Sequence, residues 1–366
     1  MKRTVLVAGI LSLIIFACKK TNNDDNGADG FNRQLILINM ADSLILPSYN
    51  DFQTKADVMV SNIQAFTQNP TSGGLAQART AWLDAYVAWQ KIALWNFGPA
   101  MNLNFISHAN TYPADAVKID QISDGATYDL NSPFQKSIQG FPAIEYLLYG
   151  NNKTDQEIIS SFSSSSKSLF INALAKKIND LNKSVLTSWN STYRQTFINA
   201  SGVDRGSSLG ELFNNTYLPY LEMHNREAKF GIPGGQRTGT ALPGNVEGVY
   251  SKIHSKALAL AAFNAYKAAW YGTGYITSKN GSSLNNYVIF MDRKNGTSIA
   301  STLNNQFQAT EAKISALEPD FRAIAQTNPA KLQDVWLAYQ QMVVTIKTDV
   351  ASALSVTISY TDTDGD

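Results

Sequence analysis

Residues 75–92, LAQARTAWLDAYVAWQKI, place apolar side chains at Leu75, Ala78, Trp82, Ala85, Trp89 and Ile92. Steps of three and four alternate along this run, so all six project from one stripe of an α-helix, and such a stripe has to be covered by other helices. The preceding stretch repeats the spacing at Tyr49, Phe52, Ala56, Met59, Ile63 and Phe66. Between the two, Asn69-Pro70 and Gly73-Gly74 break the chain, which predicts a pair of helices joined by a short turn.

Working outward, the pattern recurs along most of the chain. Phe170, Leu174, Ile178, Leu181, Val185 and Trp189 form a long stripe; Leu209, Phe213, Tyr217, Tyr220 and Met223 form another, leading to the turn GIPGG at residues 231–235. Residues 249–270 and 332–354 complete the long helices, with shorter ones expected over 283–291 and 299–317. Period-two alternation is confined to Val356-Thr357-Ile358-Ser359-Tyr360, which predicts a short extended strip near the end. The fold class is therefore all-α. Gln68-Asn69-Pro70 leading to Trp82-Leu83-Asp84-Ala85-Tyr86 is echoed by Asn328-Pro329 leading to Trp336-Leu337-Ala338-Tyr339. Chance similarity between aromatic amphipathic helices explains the echo more simply than an internal duplication.

The first residues point to export. Lys2 and Arg3 precede an apolar run at residues 5–17 that is too short to cross a bilayer, and Ala17-Cys18 has the small residue before cysteine that a lipoprotein signal needs. Cys18 is the only cysteine in the 366 residues, so it has no disulfide partner and its expected fate is lipidation. The alternative is an ordinary secretory signal with an incidental cysteine. Residues 19–31 are rich in Asn, Asp and Gly, lack periodicity and read as a tether. The remainder is long enough for two modest domains, expected at 32–200 and 201–358, with a joint near 199–207 and an acidic tail at 359–366. A serine run at 160–168 is a second candidate joint. A formal charge of +1, from 30 basic and 29 acidic residues, provides no field that would draw nucleic acid.

Residues 140–150 read GFPAIEYLLYG. They resemble the signature of the imelysin-like family of bacterial envelope proteins, which runs Gly, any residue, His, two residues, Glu, then an aromatic and aliphatic run closing on Gly. Gly140 and Glu145 match, while Pro142 stands at the His position. Trp82 with the later Trp95-Asn96-Phe97-Gly98-Pro99, the segment from Pro113 to Ile119-Asp120, and Lys229-Phe230-Gly231-Ile232-Pro233-Gly234 are similar to further stretches of the family in the same order. The resemblance implies two helical bundles of related shape and a site near the signature. It also implies a divalent metal there (zinc, iron or calcium), although the missing imidazole removes one ligand and argues that none is tightly bound. The family takes its name from a protease, and many relatives are associated with iron uptake.

Glu145 stands between Ile144 and Tyr146 in a run apolar enough to be buried, and a buried carboxylate has to be paired, hydrogen-bonded or bound to a cation. It is either a surviving ligand or a structural acid, with Arg79 and Lys91 on a neighbouring helix as conceivable partners. Pro142 suits the first turn of a helix, where its missing N–H costs nothing. The three histidines are His108, His224 and His254. His224 precedes Glu227 by the spacing that shares one face of an α-helix, though a solvent-facing helix would carry such a pair equally well. His108 could approach Glu145 in space, and His254 reads as a boundary residue. Candidate binding residues are thus Gly140, Pro142, Glu145, Trp82, Arg79 and His108; Glu145 is the candidate catalytic base; Glu145, His224 and Glu227 are the candidate metal ligands. Asp362-Thr363-Asp364-Gly365-Asp366 has the alternating acids of a calcium loop without the closing Glu, and a solvated tail explains it as well.

The sequence contains no His-Glu-x-x-His helix, Gly-x-Ser-x-Gly elbow or phosphate-binding loop. The expected function is a lipid-anchored envelope binding protein connected with iron or other nutrient uptake, with other envelope proteins as partners. A metallopeptidase using Glu145, and an adaptor that docks a protein or peptide, are the alternatives.

Overall fold

Helix α1 (Leu46–Gln68) continues without a break from a π-helical turn (Met40–Ile45), and Pro47 stands where the one gives way to the other. The computed structural model describes residues 29–360 of the chain. After α1, Thr71 accepts a hydrogen bond from the Gly74 amide at 3.1 Å and caps helix α2 (Ser72–Ile92). The short turn makes the two helices antiparallel neighbours. Helix α3 (Gly140–Tyr149) and helix α4 (Ser165–Ser188), the latter capped by Ser164, complete a first bundle in which α1 packs on α2 and α4, and α3 packs on the same two.

The second bundle is built from a π-helical segment (Tyr220–Gly231), α5 (Ser255–Tyr271), α6 (Leu284–Asn295), α7 (Ile299–Ala316) and α8 (Ala330–Val344). The π-helical segment lies along α8, α7 packs on α8 and α5, and α6 covers α7. Helix α5 also lies against α2, so the two bundles share a face and one continuous hydrophobic core. No strand occurs among the described residues; Thr273 and Asn280 form an isolated bridge. No described helix is long and apolar enough to cross a membrane.

The predicted stripes of α1, α2 and α4 are buried at every position named above. Three expectations change. Met223 is 37 % exposed, because the π-helical backbone around it turns it off the stripe set by Leu209, Phe213, Tyr217 and Tyr220. The helix expected from residue 249 starts at Ser255, since Gly248 at φ +77° and Lys252 at φ +63° hold residues 248–252 in a tight turn. Residues 356–360 pair with no strand; instead Asn214 accepts from the Ser359 and Tyr360 amides at 2.6 and 3.0 Å and donates to Thr357 O at 2.9 Å.

At the amino end the packed chain already includes Asp29, which pairs with Arg33 at 3.0 Å, and Phe31, stacked on Tyr287 at 4.6 Å. Cys18, most of the expected tether and the acids from Asp362 onward lie outside the described residues.

Candidate functional site

Helix α3 enters its site through a contact only glycine allows. Gly140 adopts φ +79°, and a Cβ there would lie 2.1 Å from the carbonyl oxygen of Ala109. Pro142 follows in the first turn and is buried. The indole N–H of Trp82 donates to Phe141 O at 3.0 Å, and the Tyr86 ring stacks on Phe141 with centroids 4.5 Å apart, so α2 fixes the start of α3 by a hydrogen bond and an aromatic face.

One turn further on, Glu145 is 1 % exposed. Its Oε1 accepts from the backbone amides of Tyr250 at 3.2 Å and Ser251 at 2.8 Å, in the turn that leads into α5. Burial pushes its carboxyl up to about 7, against the pull of those two amides, and the charge of Glu247 adds to the rise. Glu145 is therefore an acid that can hold its proton near neutrality.

Glu247 is the opposite case. It is equally enclosed, but Lys229 forms a buried ion pair with it, Gln90 Nε2 and Asn110 Nδ2 each donate to it at 2.8 Å, and the Tyr86 hydroxyl lies 2.9 Å away. Burial works to raise its pKa, yet the lysine and the amides hold it below the usual carboxylate range. Lys229 also donates to Gln90 Oε1 at 3.0 Å. Burial first, and then the charge on Glu247, drives the phenols of Tyr86, Tyr112 and Tyr220 upward, so all three stay neutral. The cluster thus sets a charged acid beside a protonatable one, in the seam where α2, α3, the π-helical segment and the turn before α5 converge.

The other sequence-derived candidates are placed elsewhere. Arg79 donates to Leu148 O at 3.0 Å, pairs with Asp155 at 2.8 Å and lies over the Tyr149 ring. Lys91 reaches Tyr275 OH at 3.3 Å, so neither cation serves Glu145. His108 Nδ1 is 2.8 Å from Gln139 Oε1 and its Nε2 is 2.6 Å from Lys136 Nζ; burial and that lysine hold the ring below its usual pKa. His224 packs beside Tyr220 with centroids 5.6 Å apart, and burial together with Lys229 lowers its imidazole to about 4. Glu227 instead accepts from Arg226 at 2.9 Å, Trp336 Nε1 at 2.8 Å and Arg237 at 3.1 Å. His254 Nε2 is 3.4 Å from Tyr149 OH.

Among the described residues no three His, Cys, Asp or Glu side chains converge to hold a metal ion. With no donor on Pro142, Glu145 is left as a single carboxylate without the further side-chain ligands a metal centre at the signature needs, so the residues present do not fit one. The residues that sequence reasoning missed are Glu247, Lys229, Gln90, Asn110 and the 250–251 turn. Glu247, between Val246 and Gly248, bears the same mark as Glu145, an acid among apolar neighbours, and that signal could have singled it out.

The sequence matches the family described as Imelysin, which carries a peptidase designation, over residues 45–347. No curated protein matches it. Among solved structures, an imelysin-like protein from Psychrobacter arcticum superposes with a TM-score of 0.70 at 18 % identity, over 90 % of this chain and 97 % of that one. A candidate iron-regulated protein A precursor from Parabacteroides distasonis gives 0.73 at 17 % identity, over 88 % and 95 %. The chain belongs to the imelysin family, and its all-helical fold is that of these neighbours.

Proposed function

We propose that this member of the imelysin family is a non-catalytic binding protein of the bacterial envelope, lipid-anchored through Cys18 and connected with the uptake of iron or another nutrient. The observation that carries the reading is the state of Glu145. Its Oε1 is closed by the Tyr250 and Ser251 amides, its motif partner is a proline, and its acidic neighbour Glu247 is neutralised by Lys229. An acid used in this way ties α3 to the second bundle, and among the described residues no further metal-ligating side chains converge on it to hold a cation and its water. The iron connection draws on the family and on the name of the Parabacteroides distasonis protein. The anchor draws on the Ala17-Cys18 sequence after a short apolar run.

The metallopeptidase reading has one observation in its favour: a carboxyl pushed up to about 7 has the pKa of a general acid or base that works near neutrality. One experiment separates the two. Purified mature protein is assayed for bound zinc and iron by elemental analysis and for cleavage of a denatured protein substrate, with Glu145→Ala in parallel. The expected result is substoichiometric metal and no cleavage by either form. Stoichiometric metal together with cleavage, both lost in Glu145→Ala, overturns the proposal.

A further inference from the structure

The chain enters the fold through a clasp. Asp29 pairs with Arg33 at 3.0 Å and accepts a hydrogen bond from the Tyr287 hydroxyl, while Phe31 stacks on Tyr287 and lies 5.4 Å from the Phe290 ring. Arg33 Nε donates to Ser201 O at 2.9 Å, and Lys294 Nζ donates to Asp29 O at 3.3 Å. Residues 29–33 are thereby bound to α6 on one side and to the loop at 200–207 on the other. The point at which the preceding residues join the body is fixed. Cys18 stands eleven residues before Asp29. At most about 3.6 Å per residue, those links span no more than about 40 Å. A chain of this length packs into a body roughly 50 Å across. A lipid on Cys18 therefore brings the surface around the clasp within reach of the bilayer and leaves the opposite side out of reach.

The charges on that surface favour one sign. Arg293 and Lys294, in the last turn of α6, and Arg205, in the loop that receives Arg33, are all exposed. Asp29 and Arg33 cancel each other. Asp292 turns inward, where Thr297 and the amides of Ile299 and Ala300 donate to it. The remaining acid is Asp204, which accepts from the Gly206 amide of its own loop at 3.0 Å. Three exposed cations thus face one exposed carboxylate, in a chain whose whole formal charge is +1. Leu35, 49 % exposed on the helical turn Gln34–Asn39 that follows the clasp, adds an apolar side chain of the kind that settles among lipid headgroups.

We propose that the surface around the clasp, with Arg205, Arg293 and Lys294, is an interface with the anionic phospholipid headgroups of the leaflet that holds the lipid on Cys18. The proposal rests on the lipid-anchor reading above. Three cations attract an anionic surface only weakly from free solution, but a short covalent link raises their effective concentration at it, so the tether and the charges act together. Helix α6 then lies nearest the bilayer, and the rest of the body stands away from it.

The test supplies the anchor chemically. Unlipidated mature protein is coupled through the Cys18 thiol, the only one in the chain, to maleimide-bearing lipid in vesicles, and the rate at which an amine-reactive reagent acetylates Lys294 is read by mass spectrometry. On vesicles with about 30 mol % phosphatidylglycerol, Lys294 is expected to react at least fivefold more slowly than in the uncoupled protein. On pure phosphatidylcholine, or on the anionic vesicles in about 0.5 M salt, the rate is expected to stay within about twofold of the uncoupled protein. Arg205→Glu with Arg293→Glu is expected to bring the protection on anionic vesicles to twofold or less. Thermal melts confirm that this variant folds, and the Gln pair replaces it if it does not. No protection on anionic vesicles, equal protection on neutral ones, or unchanged protection in the folded variant overturns the proposal. Metabolic labelling of cells with radioactive palmitate, against Cys18→Ser, decides the anchor separately: its failure with protection intact strikes the anchor alone, and loss of protection with labelling intact strikes the interface alone.

Discussion

Glu145 is ionised in the unfolded chain above about 4.5 but keeps its proton in the folded protein up to about 7. Between those values the folded state holds a proton that the unfolded state has lost, so raising the pH through this window costs stability, on the order of 3 kcal/mol at about 1.4 kcal/mol per unit. Glutamine accepts the same two amide hydrogen bonds without a charge. The difference in melting temperature between Glu145→Gln and the parent is therefore expected to be small at pH 4.5, to grow toward pH 7 with the variant the more stable, and to level off above. A difference independent of pH would show that the carboxyl is not held neutral. Gly140 makes the second prediction at this scale. Positive φ and a Cβ 2.1 Å from Ala109 O leave no room for a side chain between backbone and backbone, so Gly140→Ala is expected to cost about 2 kcal/mol or more in urea denaturation. An alanine variant within about 0.5 kcal/mol of the parent would mean that α3 can shift without consequence.

At the scale of elements, the stripes of α1, α2 and α4 were legible because a 3.6-residue period has only one way to be buried in a bundle, and every position named on them is buried. The π-helical segment was not. Its i to i+5 hydrogen bonding widens each turn, so the spacing that would bring His224 and Glu227 onto one face of an α-helix sends the first to Tyr220 and the second to Arg226, Trp336 and Arg237. Nor could local reading find what satisfies Glu145, because its partners are backbone amides more than a hundred residues away that offer no side-chain signal. The same segment carries Lys229, whose ammonium is the counter-charge of Glu247. Removing one partner strands the other in the core, so Lys229→Met is expected to cost about 3–5 kcal/mol in chemical denaturation. Adding Glu247→Gln to that variant removes the stranded charge, and at least half of the loss is expected to return. A double variant as unstable as the single one would show that Lys229 acts through packing alone.

Across the whole molecule, the contacts of Glu145 and Glu247 lie on the face the two bundles share. Glu145 on α3 holds the turn before α5, and Tyr86 and Gln90 on α2, with Asn110, hold Glu247, which in turn holds Lys229 on the second bundle's π-helical segment. Around these contacts the apolar core continues from one bundle into the other through α2 and α5. Buried polar groups in such a seam specify its register, because any slip leaves a charge unpaired in a medium of low dielectric. Two bundles joined in this way are expected to unfold together, so urea denaturation followed by far-ultraviolet circular dichroism and by tryptophan fluorescence should give coincident single transitions. Tryptophans sit on both sides of the seam, Trp82, Trp89 and Trp189 in the first bundle and Trp270 in the second, so fluorescence reports on both. Glu247→Ala takes away the central acceptor and strands Lys229 in the seam, with little effect on the packing inside either bundle. The expected consequence is a loss of coincidence, with the fluorescence and dichroism midpoints separating as one bundle opens before the other. If the variant instead keeps one transition that merely moves to lower urea, the apolar contact of α2 with α5 is sufficient to couple the bundles, and the polar cluster adds stability without setting their cooperativity.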